Sequence, residues 1–196
     1  MTDTGTDQRI SHLEAELAAA RAEINRLELQ LSVFTSTDPL TGLSNRNGIL
    51  DALQGAIDRQ HRMTEPYCVV MLRFPQLDDL KASLVEDDLE EALRHLGAIV
   101  AAGLRTVDSV GRIDDTTFVA VLTNCPGEFV DVVINRSLES IRALPLSAGA
   151  SEFVLDPVVV ALMSGPEPAG GAELVLAQGC DVLDSSSAGD GVVIAL

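Results

Sequence analysis

The chain has 196 residues, 46% of them hydrophobic but only 3% aromatic, which suits one domain of about 150 residues with an aliphatic core, plus an appendage. A formal charge of -17 and a pI near 4.3 exclude a nucleic-acid-binding surface, because phosphate tracking rests on clustered Lys and Arg. Lys81 is the single lysine and no Lys or Arg follows Arg142, so the last quarter of the chain has no cation with which to clamp a polyphosphate.

No stretch approaches the roughly 18 uncharged apolar residues of a membrane span, and the polar start MTDTGTDQR has no apolar signal region behind it. A cytoplasmic protein is expected, with residues 1–9 disordered. Cys68, Cys125 and Cys180 are odd in number and lack the spacing of a metal site, so free reduced thiols are expected.

Apolar residues then recur at Ile10, Leu13, Leu17, Ala20, Ile24, Leu27, Leu31 and Phe34, in alternating steps of 3 and 4. That spacing predicts a coiled-coil helix over 10–35, with Ile10, Leu17, Ile24 and Leu31 at a and Leu13, Ala20, Leu27 and Phe34 at d. In a parallel homodimer Glu16 meets Arg21 while Glu23 faces Glu28, so charge matching is mixed. A heterologous partner, or a helix folded back on its own domain, are the other readings. Ser36, Thr37 and Asp38, followed by Pro39, stop this helix and restart the chain.

Residues 47–63 read as an amphipathic helix, and YCVVMLRF at 67–74 as a buried strand closed by Pro75. A long helix over 87–104 carries Leu89, Leu93, Leu96 and Val100 on one face and acids in its first turn, where they favour the helix dipole. DSVGRI and TTFVAVL are strand-like runs separated by Asp114 and Asp115, which predicts a tight hairpin. A helix over 126–144, a strand FVLDPVVVALM interrupted at Pro157, a loop GPEPAGG, a helix over 172–183 and a strand over 191–196 complete the order. The fold class is α/β (α+β), a mixed sheet flanked by helices and preceded by the coiled-coil helix.

The run DPLTGLSNR at 38–46 resembles the opening signature of GGDEF domains. RTVDSVGRIDDTTF at 105–118 is similar, without a gap, to the family's Arg-x-x-Asp, Gly-Arg and Gly-Gly-Asp-Glu-Phe stretch. The resemblance covers 37–196, weakens toward the end, and implies a palm-like domain over 36–196 resembling nucleotidyl cyclases, with the signature turn at the hairpin tip. In active members two metal ions and two such domains condense two GTP molecules into cyclic di-GMP, and a preceding coiled coil often juxtaposes the halves.

Set against that family pattern, the catalytic groups are replaced. The signature turn reads Asp114, Asp115, Thr116, Thr117, Phe118, with carboxylates where glycines stand and hydroxyls where acids stand. A carboxylate about 4 Å from a phosphate oxygen costs several kcal/mol at an intermediate dielectric. The family's metal-binding Asp matches Arg73, its guanine-contacting Asn matches Lys81, and its closing lysine motif appears as CDVLDSSSAGDG, which keeps Asp181 but no lysine. The acid of the following helix is kept as Glu90. The resemblance therefore implies a degenerate domain with no catalytic residues, no metal and no cofactor.

Arg105 and Asp108 match the Arg-x-x-Asp motif, which in active members binds product as an inhibitor, and Arg136 resembles a second arginine that some members add. A guanidinium fork and a carboxylate suit a guanine dinucleotide. The structural alternative is that Arg105 caps the preceding helix and Asp108 shapes the turn into the strand. Arg46 and Arg112 fall in signature segments and read as ion-pair or turn residues. The expected function is a non-catalytic signalling module acting through a homodimer and a signalling protein partner, with cyclic di-GMP as regulatory ligand. The alternative is an active or altered diguanylate cyclase using GTP and Mg²⁺.

Overall fold

The computed structural model describes residues 9, 10, 12, 13, 15–21, 23, 35–143, 146–148, 151–165, 170–186 and 191–195. The chain divides into two compact units, Met1–Thr35 and Ser36–Leu196. In the first, the described residues up to Glu23 are helical, and Ile10, Leu13 and Leu17 stand 49%, 56% and 54% exposed. Ala20 is exposed as well, and His12 Nε2 lies 3.5 Å from Glu16 one turn on. Ile24, Leu27, Leu31 and Phe34 of the expected seam lie outside the described residues, as do residues 1–8.

The second unit is a five-stranded sheet with helices on both faces. Its elements are α1 (Arg46–Met63), β1 (Tyr67–Arg73), α2 (Gln76–Ser83), α3 (Glu86–Ala102), β2 (Ser109–Arg112), β3 (Thr117–Thr123), α4 (Val130–Ala143), β4 (Leu146–Ala148), β5 (Ser151–Phe153), β6 (Val158–Met163), α5 (Ala172–Ser185) and β7 (Gly191–Ala195). The strand order is β2-β3-β1-β6-β7, antiparallel throughout except for the parallel pair β6–β7. This is the mixed sheet that the alternation of elements predicts.

Because both faces are covered, the central strand β1 is a continuous apolar run instead of an alternating one. Cys68, Val70 and Leu72 face a core with Leu77 and Leu80 of α2, Leu93, Leu96 and Val100 of α3 and Ile134 and Ile141 of α4. Val69 and Met71 face the other layer, with Ile49, Leu53 and Ile57 of α1 and Val175, Leu176 and Leu183 of α5. Each buried Leu, Ile or Val contributes about 1.5–3 kcal/mol relative to exposure, so these two layers hold the sheet rigid beneath its loops.

Three local features differ from the sequence expectation. Pro75 does not simply close a strand; it precedes the extra helix α2, because a proline's fixed φ suits the start of a helix and Leu77 and Leu80 repeat at helical spacing onto the core. The strand expected to run through Pro157 is two strands in different sheets: β5 pairs with β4 in a small hairpin, and β6 pairs with β1. Proline lacks the N–H that a continuing ladder needs, so the chain changes sheet there. The helix expected from 126 starts as a short 3-10 turn at Gly127–Phe129 and becomes α-helical at Val130.

Residues 38–46 wrap the outer edge of β2. Asp38 accepts from the Thr41 N–H at 2.8 Å and the Thr41 hydroxyl at 2.6 Å, and Gly42 takes the left-handed conformation (φ 72°) that closes the turn. Ser44 then bridges to β2, donating to the Val110 carbonyl at 3.1 Å and accepting from the Arg112 N–H at 2.8 Å. Gly111 permits this approach, since a Cβ there would strike the Ser44 carbonyl and sit 2.5 Å from Ile49 Cγ1. Asn45 caps α1 by accepting from the Gly48 N–H at 3.0 Å.

Candidate functional site

The β2–β3 hairpin presents one candidate site at its tip and another at its opposite end. At the tip Asp114 accepts from the Thr116 N–H at 2.9 Å and the Thr116 hydroxyl at 3.3 Å, an Asx turn that leaves this carboxylate engaged in its own loop. Asp115 pairs with the Lys81 ammonium from α2 and with Arg112 Nη2 at 3.3 Å. The Lys81 hydrogen bond above all, and then the Lys81 and Arg112 charges, hold the Asp115 carboxyl below its ordinary range against the opposing effect of burial. Arg112, 10% exposed, also reaches Asp38 at 3.6 Å and so ties the wrapping segment to the hairpin.

Beneath the tip, Thr117 is fully buried opposite Arg73 in register, and its hydroxyl finds no partner among the described residues. Phe118, equally buried, meets Phe74 edge to face with ring centroids 5.8 Å apart. Arg73 turns to Asp184 at the end of α5, with Nη1 2.6 Å from Oδ1. Glu90 lies on α3, exposed, 3.8 Å from Arg94 of its own helix.

Divalent cations such as Mg²⁺ require several converging oxygen ligands. The hairpin end instead brings together Arg73, Lys81, Thr116 and Thr117, with its carboxylates already bound to cations or to the turn. No group of three or more His, Cys, Asp or Glu suited to a metal occurs among the described residues. This donor set does not fit a divalent ion.

At the far end of the hairpin, Asp108 shapes the entry to β2. Its Oδ2 accepts from the Arg105 N–H at 3.0 Å and its Oδ1 from the Thr123 N–H at 3.3 Å, so both carboxylate oxygens serve backbone groups. Arg136 on α4 donates to the Gly103 carbonyl at the end of α3, which is the helix-capping role that the sequence offered for Arg105. Arg105 lines a cavity of about 480 Å³ together with Arg59, Glu65, Val107, Thr123 and Asn124. Burial pushes the nearby Cys125 thiol up; the Arg105 charge pulls it the other way and Asp108 adds to the rise.

The structure thus brings Arg105 and Asp108 into one loop with Arg136 two residues away at Gly103, but only Arg105 of the three lines the cavity. Sequence reasoning missed Arg59 and Glu65. They sit at the end of α1 and in the loop after it, and no local pattern links them to residues some 40 positions later. A cation at the end of an amphipathic helix reads as an ordinary dipole partner.

The family model described as "Diguanylate cyclase, GGDEF domain" matches residues 35–155. The chain belongs to the GGDEF family. Among curated proteins it is similar to the uncharacterized membrane protein YdaK of Bacillus subtilis, 23% identical over 141 residues, which cover 72% of this chain and 49% of that protein. The chain therefore spans about half the length of the curated relative it matches. Among solved structures it resembles the diguanylate cyclase SiaD in complex with its activator SiaC from Pseudomonas aeruginosa, with a TM-score of 0.73 at 20% identity over 97% of this chain and 74% of that one. It also resembles the coiled coil and GGDEF domain of DgcB from Caulobacter crescentus in complex with c-di-GMP, with a TM-score of 0.68 at 19% identity over 94% and 99% of the two chains.

At these identities the likeness establishes the GGDEF fold, and within that fold DPLTGLSNR and the hairpin tip are the two segments that Arg112 joins. No helix among the described residues is long and apolar enough to cross a membrane.

Proposed function

We propose that this GGDEF domain is catalytically silent and works as a cytoplasmic signalling module, dimerising through its N-terminal helix, contacting a signalling partner and responding to cyclic di-GMP. One observation carries the loss of catalysis: Arg73 is paired with Asp184 and Lys81 with Asp115, so protein cations stand where the family's metal and guanine ligands align. A metal ion brought to that strand end meets a guanidinium, and a triphosphate brought to the tip meets Asp114 and Asp115. Three free cysteines agree with a reducing compartment.

Support for dimerisation is the exposed apolar stripe of Ile10, Leu13 and Leu17, continued in sequence by Ala20, Ile24, Leu27, Leu31 and Phe34. DgcB, solved as a coiled coil with its GGDEF domain, offers a parallel arrangement of parts, and SiaD, solved with an activator protein, a precedent for a partner. Cyclic di-GMP is the ligand of choice because Arg105 opens onto a cavity of about 480 Å³ that Arg59 also lines. Asp108 holds the Arg105 loop in place, and Arg136 anchors the same loop to the end of α3.

Incubating the protein with GTP and either Mg²⁺ or Mn²⁺ is the direct test. No cyclic dinucleotide is expected, and robust product overturns the proposal in favour of an altered cyclase. Calorimetry with cyclic di-GMP is expected to show binding that Arg105→Ala abolishes; equal affinity in that variant removes the site.

A further inference from the structure

The cavity beside Arg105 also holds a negative charge, the carboxylate of Glu65. Thr64 ends α1 in the left-handed conformation (φ 57°) and redirects the chain, and Glu65 follows it into the cavity wall. Glu65 Oε2 stands 3.7 Å from Arg59 Nε, with the two side chains 39% and 38% exposed. That contact is longer than a hydrogen bond and single-pronged, so it separates at little cost. Arg105, from the other end of the hairpin, lines the same cavity and forms no ion pair among the described residues. Asp108, the other acid nearby, has both oxygens on backbone N–H groups and does not line the cavity.

Resting on the reading of this cavity as the cyclic di-GMP site, we infer that Glu65 is a built-in competitor for Arg59, an internal counter-ion that an anionic ligand must displace. A cyclic dinucleotide brings two phosphate charges to a cavity that holds two guanidiniums and one carboxylate. Glu65 therefore acts against the ligand chiefly by repelling the phosphate that replaces it at Arg59, since the pairing itself separates at little cost. Its charge sets the ligand concentration at which the cavity fills. A carboxylate that aimed Arg59 at the ligand would act with the opposite sign.

The test is calorimetry of the full chain with cyclic di-GMP at one moderate salt concentration. It compares the wild type with Glu65→Gln, Glu65→Gln combined with Arg59→Ala, and Glu152→Gln, an exposed acid on β5 outside the cavity. Two unit charges about 6 Å apart at a partly solvated site interact strongly enough to change affinity on the order of tenfold. Glu65→Gln is expected to bind about tenfold tighter, or to bind where the wild type does not, and Arg59→Ala in the same chain is expected to abolish the gain. Glu152→Gln is expected to match the wild type; an equal gain there attributes the effect to net charge and overturns the inference. A wild type that binds while Glu65→Gln binds equally or more weakly also overturns it and leaves the cyclic di-GMP reading standing. Absence of binding in both overturns the two together.

Discussion

Arg112→Ala removes a side chain that joins the wrapping segment to the hairpin tip. Its guanidinium is 10% exposed and Asp38, its partner at 3.6 Å, is 15% exposed, so solvent replaces the lost contact poorly. Breaking a buried pair by deleting one partner typically costs about 3–5 kcal/mol. Two features reduce that here. Asp38 keeps its hydrogen bonds from the Thr41 N–H and hydroxyl, and Arg112 Nε is itself a buried donor that finds no partner among the described residues, whose removal returns about 1 kcal/mol or more. A net loss of about 2 kcal/mol is expected, which for a domain of this size lowers the Tm by roughly 4–8 °C. Thermal and urea denaturation followed by far-UV circular dichroism measure it. A double-mutant cycle with Asp38→Asn is expected to return a coupling of about 1 kcal/mol. Loss below about 0.5 kcal/mol, with no coupling to Asp38, refutes the claim that this ion pair ties the signature segment to the hairpin.

Phe118→Ala empties a fully buried site against Phe74 and is expected to cost about 3–5 kcal/mol in the same denaturation assay; a loss under about 1 kcal/mol contradicts the packing described. Asp115 is held below its ordinary carboxyl range, so its contribution is present above the unfolded value near 3.9 and is lost as the pH falls through the lower folded value. The pair is largely exposed on the Asp115 side, so the effect is a few tenths of a kcal/mol; Lys81→Ala is expected to flatten the acid limb of stability against pH, and an unchanged slope discounts the pair. Burial pushes the Cys68 thiol up to about 12, so at pH 8 a thiol reagent is expected to leave Cys68 unlabelled in the native protein and to reach it only on unfolding, as mass spectrometry of digested peptides reports. Leu17→Glu in the exposed N-terminal stripe is expected to convert a dimer into a monomer in light scattering; an unchanged mass rules out this helix as the dimer contact.

Period and punctuation made much of the fold legible. The 3.6-residue spacing of Leu93, Leu96 and Val100, and the unbroken run from Tyr67 to Leu72, fixed element types because each residue's burial follows from its own helix or strand. The family signature located the hairpin tip for the same local reason: its residues are consecutive. Helix α2 and the β4–β5 hairpin escaped because each is short, and short apolar runs do not distinguish their states until a partner supplies the other half of the contact. The parting of β5 from β6 at Pro157 was visible as an interruption but not as a change of sheet.

Residue identities alone determined that a cation stands at the end of β1 and that acids and hydroxyls fill the signature turn, since those are facts of composition at fixed positions. The tertiary structure alone decided where the charges go: Arg73 to Asp184, 111 residues away, and Lys81 to Asp115, 34 away. It likewise decided that Asp108 serves backbone N–H groups, that Arg136 caps α3, and that Arg59 and Glu65 meet Arg105 around one cavity. Charge interactions depend on distance in space, and the sheet order β2-β3-β1-β6-β7 sets those distances between segments that the chain keeps far apart.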